Sequence, residues 1–373
     1  MKNKNRILIC GTLPPPNYGP STLFKILLES QFVYSNEIVF LNIKFFSYEI
    51  LKKRSIIKFF MFIKYIIIYS VLIIKNKPLY ILYSISFNKK PFLKDFIFIV
   101  IGRLFRCKIV QFEMGQYLKE LYDSSSLIYK RLILWVLNNI AAIIVMGEKT
   151  KLVYSELFNN NHIFVVPHSV ADTSRIIMNS YKRRKKHTIQ VLYFSLLSES
   201  KGLWTALHAI PKVILHDPKI HFVFAGPIES QIILDQMKQF IKINKLDKNT
   251  KYIGYIGDEL ERAKCFRNSD IFIFPTHRDA FGLVILHAMA EGLPVIASIE
   301  GNITEVINDK ENGFLISKGD VDQLVKYIIL LANNSVLRIK IGKTNRAKYL
   351  AEYTTAHFGE RMINVFNHIK NMG

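Results

Sequence analysis

Cysteine is scarce in this chain. Cys10, Cys107 and Cys265 stand far apart, without disulfide or metal-ligand spacing. That excludes a disulfide framework and a thiolate metal centre, and it points to a reducing, cytoplasmic compartment. Acidic residues are also few, 29 Asp and Glu against 51 Lys and Arg. No acidic cluster suited to a metal is present, so neither a metal nor a resident cofactor is expected. No uncharged apolar run is long enough to span a bilayer. Lys58 and Lys64 interrupt the best candidate, Ser55 to Ile74, and leave only Tyr65 to Ile74 clear. At the N-terminus the apolar run is Ile7 to Cys10, too short for a signal peptide and suited to a first buried strand. No short repeat or low-complexity segment occurs. Helix-turn-helix, zinc-finger, RRM and KH patterns are missing, so nucleic acid is not expected as a partner despite the basic charge.

What the sequence does have is length, apolar content and positive charge. Its 373 residues, 50% hydrophobic, are enough for two α/β domains. The formal charge of +22 calls for anionic partners such as phosphates or an acidic membrane surface. That charge is weighted to the first half, with 23 Lys/Arg against 9 Asp/Glu up to residue 170 and 28 against 20 beyond it. On a helical wheel Arg54, Lys58, Lys64 and Lys75 fall within about 120° of one another. The stretch 54–75 therefore reads either as a buried helix with snorkelling lysines or as an interfacial helix in peripheral contact with anionic lipid.

Short β-branched runs alternate with helical stretches along the whole chain. In the first half they are Arg6–Gly11, Glu37–Ile43, Leu79–Ile85, Lys108–Met114, Ala141–Gly147 and His162–His168. In the second half they are Ile189–Ser195, Lys219–Gly226, Tyr252–Gly257, Ile271–Thr276, Pro294–Ile299 and Gly313–Ile316. The alternation predicts two Rossmann-like, doubly wound parallel-sheet domains in series, facing a cleft. The expected boundaries are an N-terminal domain at 1–170, a basic linker at 171–188 and a C-terminal domain at 189–345. A helix at 346–373 is expected to pack back towards the first domain. Ligands of such sheets bind beyond the carboxyl ends of the strands, so the loops there are where chemistry is sought.

The richest such loop lies within IFIFPTHRDAFGLVILHAMAEGLPVIASIEGNITEVI, residues 271–307. A strand ends near Thr276, and Phe281-Gly282-Leu283 opens a helix that Gly292 ends before Pro294. A helix that starts on glycine offers free backbone N–H groups and a positive dipole end, suited to a diphosphate. Asp279, Phe281, Gly282, Ala288, Met289, Gly292, Pro294, Val295 and Glu305, with the following Asn312-Gly313-Phe314-Leu315-Ile316, resemble the donor-binding signature of glycosyltransferase family 4. In that family two glutamates with seven residues between them surround a Phe-Gly helix start. Here Asp279 takes the first position and His287 the second. The resemblance implies that the first carboxylate contacts the transferred sugar and that the second residue holds the ribose hydroxyls. A neutral imidazole can still exchange a hydrogen bond with a hydroxyl. Glu305 also reads as the acid of a capping box begun by Asn302.

Lys201-Gly202 matches the family's diphosphate-clamping Lys-Gly, whereas the clamp's arginine is replaced by Leu196. Arg278 is a candidate substitute for it. The resemblance further implies a nucleobase loop at Gly254 to Gly257, read by backbone groups at Ile256. It implies a phosphate-approaching loop ending at Gly19, with Tyr18 in place of the first glycine. Glu113 falls after a first-domain strand, where an acceptor-side residue that is often histidine stands, and it is a candidate base or acceptor ligand. His168 reads as structural.

Taken together, the resemblance implies a GT-B fold and a retaining transfer from a nucleotide diphosphate sugar, with UDP expected, to a saccharide or lipid-linked saccharide. The setting expected is bacterial surface polysaccharide synthesis, peripheral on the inner face of the membrane. The altered Leu196, His287 and Asp279 positions keep two alternatives open: a degenerate GT-B partner subunit, and a GT-B sugar-nucleotide epimerase.

Overall fold

The computed structural model describes residues 4–15, 19–44, 55–86, 88–115, 118–157, 162–173 and 188–371. Most of the basic linker stretch, together with Arg54 and Tyr18, lies outside them. The chain forms two compact units, residues 1–169 with 355–373, and residues 170–354.

In the first unit six strands pair in parallel: β1 (Arg6–Gly11), β2 (Glu37–Asn42), β3 (Tyr80–Tyr83), β4 (Lys108–Phe112), β5 (Ala142–Val145) and β6 (Ile163–Val165). Their order is β2-β1-β3-β4-β5-β6. The helices between them are α1 (Gly19–Glu29), α2 (Phe32–Ser35), α3 (Ser55–Asn76), α4 (Lys89–Leu104), α5 (Leu118–Asp123), α6 (Leu127–Asn139) and α7 (Glu148–Leu157). Every residue of β3 and β5 is buried, which is why these strands read as continuous apolar runs. Alternation sorts β1 between the two faces. Leu8 and Cys10 join Tyr69, Phe92 and Phe98, whereas Ile7 and Ile9 join Phe24, Phe32 and Phe112.

The second unit repeats the plan with β7 (Ile189–Phe194), β8 (Ile220–Ala225), β9 (Thr250–Tyr252), β10 (Ile271–Phe274), β11 (Val295–Ser298) and β12 (Gly313–Ile316). Its strand order, β12-β11-β10-β7-β8-β9, reverses direction between β7 and β10. The intervening helices are α8 (Leu203–His216), α9 (Gln231–Ile243), α10 (Glu259–Arg267), α11 (Leu283–Ala290), α12 (Ile303–Val306), α13 (Val321–Asn333) and α14 (Ser335–Glu352). A last helix, α15 (Thr355–Asn371), belongs to the first unit. Phe358, Met362, Val365, Phe366 and Ile369, spaced for one helical face, join the core that holds Ile7 and Ile9.

Two expectations differ from the structure. The strand sought at Tyr252–Gly257 lies earlier, at Thr250–Tyr252, and Gly254 with φ +80° turns the chain away from the sheet. The boundary placed at 346 falls inside α14. That helix runs on because its buried stripe, Ile341, Asn345 and Tyr349, repeats every four residues straight through the position.

Candidate active site

In a doubly wound sheet the switch point leaves a crevice beyond the strand ends. Here it lies between β7 and β10, so the loops after Phe194 and Phe274 are the two that border it. Lys201 comes from the first loop and Asp279 from the second, and the fold brings them together. Lys201 Nζ donates to Asp279 Oδ2 at 2.7 Å and to the Arg278 carbonyl at 2.7 Å. The pair is mostly sheltered, its side chains 23% and 19% exposed.

Backbone hydrogen bonds lock the two loops to each other. The Ser200 carbonyl accepts from the backbone N–H groups of His277 and Arg278 and from the Thr276 hydroxyl. Thr205 Oγ1 meets His277 Nε2 at 3.1 Å. Gly202 makes the junction fit. It adopts φ +73°, and a Cβ there would lie 1.8 Å from the Pro275 carbonyl oxygen. The other oxygen of Asp279 accepts from the backbone N–H groups of Phe281, at 3.0 Å, and Gly282, at 2.5 Å. Asp279 thereby folds the turn in front of α11 while facing Lys201. Gly282, at φ +75°, is the residue from which α11 starts at Leu283. The amides of its first turn mark the helix end that favours an anion.

His287 lies one turn further along α11, its ring 5.9 Å from that of Phe266. Burial holds its pKa well below the usual imidazole range, and the nearby charge of Arg262 adds to the effect. Both effects favour the neutral imidazole over the charged one. Arg262 is the residue that sequence reasoning missed. It lies in α10, within the polar run ELERAK, which reads as a solvated face. Instead its side chain is only 14% exposed, and its Nε is buried without a hydrogen-bond partner. Burial lowers its pKa as well. The sequence offered only the start of this helix, at Asp258, which caps it by accepting from the Glu261 N–H.

The remaining candidates are more dispersed. Ile256 is in the loop after β9, half-buried, beside the exposed Tyr255. Leu196 stays in the β7 loop, where its carbonyl accepts from Tyr193 Oη, and Arg278 is exposed beside Asp279. Glu305 is in the four-residue helix α12, but the expected capping box does not form. The Asn302 side chain makes no cap and instead donates to the Ala280 carbonyl at 2.9 Å, tying α12 to the Asp279 loop. In the first unit, Gly19 opens α1 with open space where a Cβ would point. Glu113 is 3% exposed, at the end of β4. It accepts from the Gly115 N–H at 2.7 Å, from Gln111 Nε2 at 3.2 Å and from the Tyr154 hydroxyl. Burial pushes its pKa up to about 7 against the pull of those hydrogen bonds. His168 is buried. All three cysteines are free and buried.

Known proteins resemble this chain in sequence and in fold. Residues 174–348 match the model for glycosyl transferases group 1. That stretch takes in nearly the whole of the second unit. The capsular polysaccharide biosynthesis glycosyltransferase CapM of Staphylococcus aureus is 24% identical over 256 residues, which is 64% of this chain and 66% of CapM. The poly(ribitol-phosphate) alpha-N-acetylglucosaminyltransferase of the same species is 25% identical over 231 residues, 62% of this chain and 44% of that one. The chain thus spans under two thirds of the length of these two relatives. Among solved structures, Anabaena HepE in complex with UDP superposes with a TM-score of 0.74 at 15% identity, over 97% of this chain and all of that one. At that identity the likeness carries the fold, two parallel six-stranded sheets in the GT-B arrangement.

Proposed function

We propose that this chain is a retaining glycosyltransferase that moves a sugar from a nucleotide diphosphate donor, with UDP the expected nucleotide, to a saccharide or lipid-linked saccharide. The observation that carries the reading is the Lys201–Asp279 pair at the β7/β10 switch point, set beside the glycine-started α11. The proposal gives Lys201 and the helix end the diphosphate, whose charge grows as the bond to the sugar breaks. Asp279, already turned towards the site, takes hydroxyls of the transferred sugar. Phe281, Gly282 and Leu283 shape the phosphate seat, His287 takes a ribose hydroxyl as a neutral partner, and Ile256 offers backbone groups to the base. In the reaction the anomeric C–O bond to the diphosphate breaks and the acceptor oxygen bonds on the same face. The acceptor proton leaves with the diphosphate. Glu113, whose oxygens are engaged inside the first unit, is assigned the task of holding the loop after β4.

The relatives favour this reading by their names, one a capsular polysaccharide enzyme and one an N-acetylglucosaminyltransferase acting on poly(ribitol-phosphate), while HepE was solved with UDP. No resident cofactor is called for. A panel of nucleotide sugars with surface-polysaccharide acceptors tests it, read as nucleotide release and as the anomeric configuration of the product. The reading predicts turnover with retained configuration, and Lys201→Ala should lower kcat by about a hundredfold or more. An inverted product, or donor isomerised without any acceptor, refutes it. Leu196 and His287 favour a second reading, a partner subunit that binds donor without turning it over, and binding without release would select it.

A further inference from the structure

Helix α3 lies on the first unit with one face inward and one outward. Tyr69 and Ile73 are buried, and Phe62, Tyr65, Ile66, Ile68 and Leu72 pack against that core. Tyr69 Oη donates to the Phe98 carbonyl of α4, and the Lys44 N–H donates to Tyr65 Oη. The outward face is apolar along its whole length. Ile56, Phe60, Ile67 and Ile74 are each more than half exposed and, at 100° per residue, fall within about 40° of one another; Phe59, Ile63 and Val71 flank them. From Ile56 to Ile74 this stripe is about 27 Å long. Lys64 and Lys75 are exposed along one margin, while Lys58 is half-buried on the opposite side, so the basic stripe seen in the sequence is a border in the structure.

The surface continues on the helices packed beside it. Leu93, Ile97, Leu104 and Phe105 on and after α4, and Leu127, Ile128 and Trp135 on α6, are exposed as well. Phe96 of α4 stacks on Trp135, which joins the two helices. Between residues 55 and 139 the sequence has thirteen Lys and Arg against four Asp and Glu. Two of those acids, Asp95 and Glu113, are buried. Such a surface combines an apolar centre far beyond scattered exposed residues with a cationic border.

We propose that the outward face of α3, with the adjoining faces of α4 and α6, docks peripherally on an anionic lipid bilayer. The charge selects this occupant: lysines at the margin reach phosphate headgroups while the stripe enters the acyl boundary. A second copy would set like-charged borders against each other. The inward face argues for lying on the surface rather than crossing it, since Tyr65, Tyr69 and Ile73 would have to leave the core for α3 to span. This inference is independent of the donor site.

The test is co-sedimentation of the full chain with phosphatidylcholine vesicles, with and without phosphatidylglycerol, at low and high salt. The expected result is binding to the anionic vesicles that falls with salt. Phe59→Ser with Phe60→Ser should abolish it, and Lys64→Glu with Lys75→Glu should weaken it at least about tenfold. All four positions are outside the core, so the melting temperature should hold. Equal partition to neutral and anionic vesicles, binding that resists high salt as a spanning helix would, or a lipid-free dimer broken by the phenylalanine changes would each overturn the proposal.

Discussion

Burial disfavours the charged form of two titratable groups, His287 and Glu113, and they respond to pH with opposite sign. His287 has a depressed pKa, so the unfolded chain takes up a proton that the folded chain refuses. Its contribution to stability is complete above the unfolded value near 6.5 and shrinks as pH falls below it. Glu113 is raised to about 7, so the folded chain keeps a proton that the unfolded chain gives up. Its contribution is complete below the unfolded carboxylate value and is lost as pH rises through about 7. Urea midpoints of His287→Gln and Glu113→Gln against wild type should therefore converge and diverge in opposite directions between about pH 5 and about 8. Parallel curves would show that neither group is held as described. Gly202 makes a third residue-scale case. Gly202→Ala must relieve both a positive φ and a Cβ 1.8 Å from the Pro275 oxygen. It should cost about 3 kcal/mol or more in a denaturant titration, with the Lys201 loop displaced.

At the scale of elements, α15 shows what a chain-end helix can contribute to a core it is far from in sequence. Phe366 is 1% exposed, its ring 5.2 Å from Phe32 and 5.4 Å from Tyr80. Phe366→Ala should lower the stability of the first unit by about 3–5 kcal/mol, seen as an early transition while the second unit melts unchanged. The strands were legible in the sequence because both faces of these sheets are covered, which leaves uninterrupted apolar runs such as YILY and AIIV. Where one side meets a loop the signal failed. Tyr252 to Gly257 carries the apolar pairs Tyr252-Ile253 and Tyr255-Ile256, but Gly254 turns left-handed after Tyr252. The Lys201 and Asp279 loops were legible because glycines at 202 and 282 serve backbone needs that few other residues meet. Arg262 was not, since a cation in a run of charges looks solvated until its helix is placed. Asn302 misled for a related reason: its side chain does not cap α12 but donates its amide N–H across space to the Ala280 carbonyl.

At the scale of the whole molecule, the second unit holds the Lys201–Asp279 pair, and the first carries the larger excess of positive charge and the exposed apolar helix face. The proposed function requires that the β7/β10 switch point bind a nucleotide diphosphate through Lys201. Thermal unfolding of the full chain with and without UDP tests it most directly. A ligand held at a hundred times its Kd adds about 2.7 kcal/mol to the unit that binds it. The expected result is a UDP-dependent rise in Tm that Lys201→Ala abolishes. No rise with UDP or any other nucleoside diphosphate, or a rise untouched by Lys201→Ala, would contradict it.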